Sequence, residues 1–135
     1  MNERTRRRWL VDAMNVVGSR PDKWWNDPDR ALRDLTERLD AFAEATGDEV
    51  TVVFDKAPAG LEPPSNVCTV VAKWKGRNAA DHAIEELVSG DVDPPSITVV
   101  TSDRRLAESV RATGARVVGA GRFRSRLDQI AKNRP

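Results

Sequence analysis

Four short apolar runs constrain the fold more than anything else in the sequence: Trp9-Leu10-Val11, Val50-Thr51-Val52-Val53-Phe54, Val67 to Ala72, and Ile97-Thr98-Val99-Val100. Each is rich in valine and bounded by turn formers. None alternates apolar with polar residues as a strand with one wet face does. Near-continuous apolar strands are covered on both faces, so the sheet is expected to be mostly parallel. A fifth run, Arg116-Val117-Val118, is shorter but lies between Gly114 and Gly119, as a final strand would. Helical patterns fall between the runs. Asp27 is placed to cap a helix with Pro28 at its first position; Leu32, Leu35, Leu39 and Phe42 then form one stripe before Gly47 ends it. Residues 79–88, about 103–112 and about 122–131 complete the set. Strands alternating with helices predict a three-layer α/β/α sandwich with a mostly parallel sheet.

A chain of 135 residues, 39% of them hydrophobic, has material for one core. The expected organisation is a basic N-terminal arm over residues 1–8 followed by a single domain over 9–135. Loops at 57–66 and 90–96 are short enough to be ordinary connections. No apolar run approaches the ~20 residues of a membrane span, and the run after the basic N-terminus is far too short for a signal-peptide core, so the expected location is cytoplasmic. Cys68, the single cysteine, is expected to be a reduced thiol in the core. With His82 the only histidine, a Cys/His zinc site is excluded.

The net charge of +1 conceals a strong asymmetry. Residues 1–8 carry four arginines against Glu3, a net +3; residues 104–135 carry nine basic groups against Glu108 and Asp128, a net +7. The stretch between them has nine basic and eighteen acidic residues, a net −9. Basic ends beside an acidic centre suit a polyanion held near bound cations, although solvated helix faces would produce the same count.

In an open parallel sheet, ligands bind beyond the carboxyl ends of the strands. Asp12 ends the first strand, Asp55 ends the second, and Asp103 follows Val99-Val100-Thr101-Ser102. Asp81 lies in the first turn of a helix, three and seven residues before the core positions Ile84 and Val88, at the edge of the apolar face. Asn15 adds an amide at the same rim. Each residue has a structural alternative: Asp103 as a helix cap, Asp81 as a first-turn acid on the helix dipole, Asp55 as a turn residue, and Asp12 and Asn15 as partners of amides in the Val16-Val17-Gly18 turn. Together they place acids along one sheet edge. With no histidine or cysteine beside them, such a cluster is a hard-oxygen site suited to Mg²⁺ or Mn²⁺.

Neighbouring chemistries fail on specific positions. A haloacid-dehalogenase-type phosphatase needs an aspartate where Met14 stands. A response-regulator receiver needs an acidic pair at the first strand and a lysine where Gly119 follows Val118. There is no Gly-x-x-x-x-Gly-Lys loop, and Gly119-Ala120-Gly121 lacks the third glycine of a dinucleotide fingerprint.

The ordered segments Leu10-Val11-Asp12-Ala13-Met14-Asn15-Val16-Val17, Val52-Val53-Phe54-Asp55, Ala80-Asp81-His82-Ala83-Ile84-Glu85 and Val100-Thr101-Ser102-Asp103 resemble the NYN domain of the PIN-like nucleases, in particular its YacP-like bacterial branch. The resemblance spans about residues 9–130. It implies a Rossmann-like fold and metal-dependent cleavage of RNA, with Asp12, Asp81 and Asp103 as metal-binding catalytic positions and Asn15 and Asp55 as supporting ones. His82 departs from the acidic or polar residue that often follows the helix aspartate in that family. The expected partner is RNA, alone or within a ribonucleoprotein. Candidate RNA-binding residues are Lys73, Lys75 and Arg77, which lead into the Asp81 helix, together with Arg104, Arg105, Arg122, Arg124 and Arg126. Trp24-Trp25 can stack on bases or pin their loop to the core. The alternative to a ribonuclease is a module of the same fold that binds or recruits RNA with little chemistry; a toxin-like PIN nuclease is disfavoured by the Asp12-x-x-Asn15 pattern.

Overall fold

The computed structural model describes residues 7–62, 64–73, 76 and 78–132. Five parallel strands, β1 (Arg8–Asp12), β2 (Glu49–Phe54), β3 (Val67–Val71), β4 (Ile97–Val100) and β5 (Arg116–Val118), form one sheet in the order β3-β2-β1-β4-β5. The helices are α1 (Ala13–Gly18), α2 (Pro28–Thr46), α3 (Ala79–Ser89), α4 (Arg104–Ala112) and α5 (Ala120–Lys132), with single 3-10 turns at Trp24–Asn26 and Pro94–Ser96.

Side-chain alternation along β1 divides the core in two. Trp9 and Val11 point to the face covered by α1, α2 and α5, where they join Leu39, Phe42, Phe123 and Leu127. Leu10 points to the other face, against Ile84 and Val88 of α3 and Leu106 and Val110 of α4. The first core is anchored by Trp9, Phe42 and Phe123, whose ring centroids lie 5.2–5.3 Å apart. The start of α2 follows its sequence signals: the Asp27 side chain accepts from the Arg30 N–H, with Pro28 as the first helical residue. The end does too, because Gly47 adopts φ +74°, which glycine reaches without a Cβ clash.

Three expectations are corrected. Arg8, counted with the basic arm, is the first residue of β1 and makes a bidentate pair with Asp91 at 2.7 and 2.8 Å. Residues 1–6 of that arm lie outside the described residues. Cys68 is exposed, not in the core, because β3 is an edge strand on which Cys68 and Thr69 are left uncovered. The Val16-Val17-Gly18 turn is part of a short helix, α1, that starts directly after Asp12. Among the described residues, no helix is long and apolar enough to cross a membrane.

Candidate active site

The topology converts sequence-distant residues into neighbours at one rim. β1 lies at the sheet centre between β2 and β4, and Asp12 is the last residue of β1. The register that pairs Val11 with Val100 brings Thr101 beside Asp12, and the pairing of Asp12 with Val53 brings Asp55 close on the other side. Asp12 shares the side-chain direction of Leu10, so its carboxyl enters the α3/α4 face, where α3 presents Asp81. At 3% relative exposure, Asp12 is the most deeply placed ionisable group described.

Each carboxylate has a structural tie as well. The Thr101 hydroxyl donates to Asp12 Oδ2 at 3.3 Å and accepts from the Asp103 N–H at 3.1 Å. Asp103 caps α4 by accepting from the Leu106 N–H at 3.0 Å. Asp55 Oδ1 accepts from the Ala80 N–H at 2.8 Å. That last bond explains how α3 begins. Its own cap position, Asn78, sits in the left-handed region at φ 68° and makes no side-chain cap bond, so Asp55 satisfies the helix from a neighbouring strand. Asn15 Oδ1 accepts from the Ser102 N–H at 2.8 Å, and Ser102 Oγ accepts from the Ala120 N–H at 2.9 Å, tying the starts of α1 and α5 to the end of β4. The cap alternative raised for Asp103 is thus a real contact, whereas Asp55 is tied to the start of α3 rather than acting as a turn residue; both contacts hold these carboxylates at the rim.

The electrostatics show how closely the acids interact. Burial, followed by the negative charge of Asp81, pushes the Asp12 carboxyl up to about 7; hydrogen bonding from the Asn15 main chain and the Thr101 hydroxyl opposes the rise, and Asp55 adds to it. Asp81 is raised in the same sense, by burial first and then by Asp103, Asp55 and Glu85, against a hydrogen bond shared with Asp12. The four aspartates of the sequence pattern therefore act on one another, and Glu85 joins them. No role was assigned to Glu85 from sequence, although its signal was present: it stands four residues after Asp81 on the same helical face. Thr101 carries no comparable signal, since only the β1–β4 register brings it to Asp12.

The donor set is all oxygen, which fits a hard divalent cation. Among the described residues, no three side chains of the His, Cys, Asp and Glu types form a group that could hold a metal ion. An ion such as Mg²⁺ needs only one or two carboxylates, because it keeps several waters and binds phosphates as well.

The expected RNA-binding cations divide on inspection. Arg104 and Arg105 are exposed on the first turn of α4, Arg122 on the first turn of α5, and Lys73 just beyond β3; all four follow strand ends, with Lys73 and Arg122 beside the two outer strands of the sheet. Arg124 is half-buried, and its Nε is enclosed with no partner among the described residues. Arg126 is exposed and also packs on the core, with its guanidinium 5.1 Å from the Phe42 ring centroid and 5.9 Å from that of Trp9. Trp9 precedes Asp12 by three residues, about 10 Å along the strand away from the rim. Lys75 and Arg77 lie outside the described residues.

Thr101→Val is expected to cost about 1–2 kcal/mol, because the Asp103 N–H loses its acceptor. The same change removes a bond that lowers the Asp12 pKa, so the acidic limb of a pH–activity profile should move upward. Thr101→Ser should restore both stability and profile, as read by thermal melts and rates from pH 5 to 9. A profile unmoved in Thr101→Val would remove the hydroxyl from the electrostatics of Asp12.

The YacP-like NYN domain profile matches residues 9–134 of the chain. No curated protein matches it. Among solved structures it is similar to Rae1 (YacP) from Bacillus subtilis, with 25% sequence identity and a TM-score of 0.75 over 92% of this chain and 75% of that one. A tryptophan-to-leucine mutant of the same Bacillus subtilis protein matches at 25% identity and a TM-score of 0.69, over 93% and 76% of the two chains.

Proposed function

We propose that this protein, which belongs to the YacP-like NYN family of PIN-like nuclease-type domains, is a metal-dependent endoribonuclease acting at the aspartate rim. The observation that carries this reading is the gathering at one sheet edge of the buried Asp12, the half-buried Asp81, Asp55, Asp103 and Glu85, in which Asp81 raises the Asp12 carboxyl and Asp103, Asp55 and Glu85 raise Asp81. An arrangement that makes the fold hold a carboxyl with a pKa near 7 in its interior has a cost in stability, and a bound cation relieves it.

Asp12, Asp81 and Asp103 are the carboxylates from which Mg²⁺ or Mn²⁺ would draw one or two ligands, with waters and phosphate oxygens completing its shell. When bound, such an ion lowers the pKa of an attacking water and offsets charge on the phosphoryl oxygens. The protein's own residues set the rest of the geometry. Asp55, fixed by the Ala80 N–H, orients a water at the rim through its second oxygen. Asn15, fixed by Ser102, holds the start of α1 against the Asp12 carboxyl. The N-termini of α3, α4 and α5 all lie at the carboxyl edge of the sheet, because each of these helices follows a strand and runs back along it; their positive dipole ends favour phosphate there. Arg104, Arg105, Arg122 and Lys73 draw the RNA backbone to the rim.

The test is cleavage of a circular, labelled RNA with Mn²⁺, Mg²⁺ or EDTA. Cutting that requires the ion is the expected result, and a circle has no ends for an exonuclease to use. RNA binding should weaken steeply with salt: for three or four neutralised phosphates on a single strand, affinity falls roughly as the inverse second to third power of salt concentration. A flat salt dependence would remove the basic rim from RNA binding. Salt-sensitive binding without cutting, in the presence of either ion, would assign the chain to the recruiting class instead.

A further inference from the structure

The two edges of the sheet differ. β5 is three residues long and opens on the exposed Arg116, so its free side is short and charged. β3 is five residues long, Val67-Cys68-Thr69-Val70-Val71, with no charge and no proline, and its register with β2 is unbroken from end to end. Native sheets blunt a free edge with a charge, a proline, a bulge, a very short strand or a covering segment. β3 lacks these devices: Cys68, Thr69 and Val71 are exposed, Val71 at 47%, so the edge is not covered. One bond fixes the direction of its free groups. The Ala72 N–H donates to the Phe54 carbonyl at 2.9 Å, so Cys68 and Val70 turn their main-chain groups toward β2, and the N–H and C=O of Val67, Thr69 and Val71 point out of the sheet.

Charge divides the two ends of that edge. At its start, Asp40 of α2 accepts from the Asn66 N–H at 2.8 Å, and Glu49 precedes Val50, the β2 partner of Val67. Residues 39–50 hold Asp40, Glu44, Asp48 and Glu49 and no lysine or arginine. Arg8, the β1 partner of Glu49, is engaged by Asp91. At the other end, Lys56 and Lys73 stand two residues beyond β2 and β3, both exposed and without an ion pair among the described residues. Asp55, next to Lys56, is held by the Ala80 N–H. A parallel neighbour of the same sequence would set acid on acid and base on base. An antiparallel one sets the acidic start of each strand against the basic end of the other, which is the self-complementarity that a twofold interface requires.

We propose that β3 pairs antiparallel with β3 of a second copy of this chain, joining two five-stranded sheets into one across a twofold axis at Thr69. That register engages the whole strand. Val67 lies opposite Val71 of the second copy and Thr69 opposite Thr69, and each of these pairs exchanges both of its main-chain bonds. Cys68 lies opposite Val70 in the closer, non-hydrogen-bonded position, with Cα atoms about 4.5 Å apart. One strand makes a small interface, so the dimer belongs to the weak class and forms only as concentration rises. The pairing is independent of the reaction at the aspartate rim.

Sedimentation equilibrium of the whole chain over rising concentration, with reducing agent present, tests this. The wild type is expected to pass from the monomer toward twice its mass. Thr69→Pro should stay monomeric throughout: the N–H it removes points away from β2, so the fold keeps its own ladder while the dimer loses its central bonds. Val71→Glu sets an acid against the acidic start of the second copy's strand and should also remove the dimer, whereas Val71→Lys should keep it. Mild oxidation reads the register. Wild type mixed with a chain carrying Cys68→Ser and Val70→Cys should form a disulfide between the two chains, because Cys68 faces position 70 within a disulfide's span. Wild type alone should not, since its two Cys68 Cα atoms are diagonal neighbours about 7–8 Å apart. A wild type that stays monomeric at every concentration overturns the pairing. A dimer that survives both Thr69→Pro and Val71→Glu overturns it too, because another face then holds the copies together. Equal loss in Val71→Glu and Val71→Lys, or a mixture that forms no disulfide where the wild type dimerises, overturns the antiparallel register. Positions 69 and 71 are exposed, and matching melting temperatures will exclude misfolding as the cause of any loss.

Discussion

Asp12→Asn should abolish RNA cleavage, by about 10³-fold or more, while making the metal-free protein more stable at pH 8. The two effects have one origin. Asp12 is buried at the end of the central strand, faces Asp81, and is held charged above neutral pH only against burial and like charge. Asparagine keeps the shape, keeps an oxygen to accept from the Thr101 hydroxyl, and removes the charge. It therefore relieves the repulsion that destabilises the empty site and deletes a ligand that the ion needs. An ordinary damaging substitution lowers activity and stability together, so the opposite signs separate a functional carboxylate from a structural one. Cleavage assays and denaturant melts on the same preparation read both. Full activity in Asp12→Asn would sink the active-site assignment, and lower stability at pH 8 would show Asp12 to be a net structural contributor. Asp103→Asn should also lose cleavage with the fold retained, because asparagine is as good a helix cap as aspartate.

The metal-free protein should lose stability as pH rises from about 4 to about 7. The folded-state pKa of Asp12 is raised to about 7 from an ordinary 3.8, so in this window the folded chain holds a proton that the unfolded chain has released. Stability falls with pH wherever the unfolded state binds fewer protons; the loss is complete above the folded pKa and amounts to about 2–4 kcal/mol for Asp12. Asp81, also raised, acts in the same direction. Asp91 behaves oppositely and in a separate window. Its pKa is lowered to about 2, first by the hydrogen bond from Arg8, so its contribution is present above 3.8 and is lost as pH falls toward 2. Stability should therefore be greatest near pH 4 to 5 in EDTA. Added Mg²⁺ or Mn²⁺ binds only the folded, deprotonated site, so its stabilisation should grow with pH and reach about 2.7 kcal/mol at a hundred times its Kd. Thermal melts from pH 4 to 8, with and without the ion, test this. The same slope in wild type and Asp12→Asn would show that the acidic rim does not set it.

Much of this molecule was legible before its structure. The apolar runs became the five strands, and the leucine stripe closed by Gly47 became α2, because burial on both faces and helical periodicity leave marks that local reading detects. The aspartates were legible for a similar reason: a carboxylate directly after a buried strand has few comfortable explanations. Cys68 was misread because an apolar run does not reveal whether its strand lies at the centre or the edge of a sheet; β3 has a neighbour on one side only. Arg126 looked like its neighbours Arg122 and Arg124 until α5 packed and set it over Phe42 and Trp9.

The sequence by itself determined the parallel α/β architecture and the position of four aspartates at strand ends and at a helix start, because hydrophobic periodicity and turn chemistry are local properties of the chain. Only the tertiary structure decided which groups act on which: that Thr101 bonds Asp12, that Asp55 caps a helix made of residues 79–89, that Glu85 joins the acidic group, and that Trp24 is held in while Trp25 is left out. These are consequences of strand order and register. A carboxylate's pKa depends on distances of a few ångströms between residues up to ninety positions apart, which no local pattern encodes.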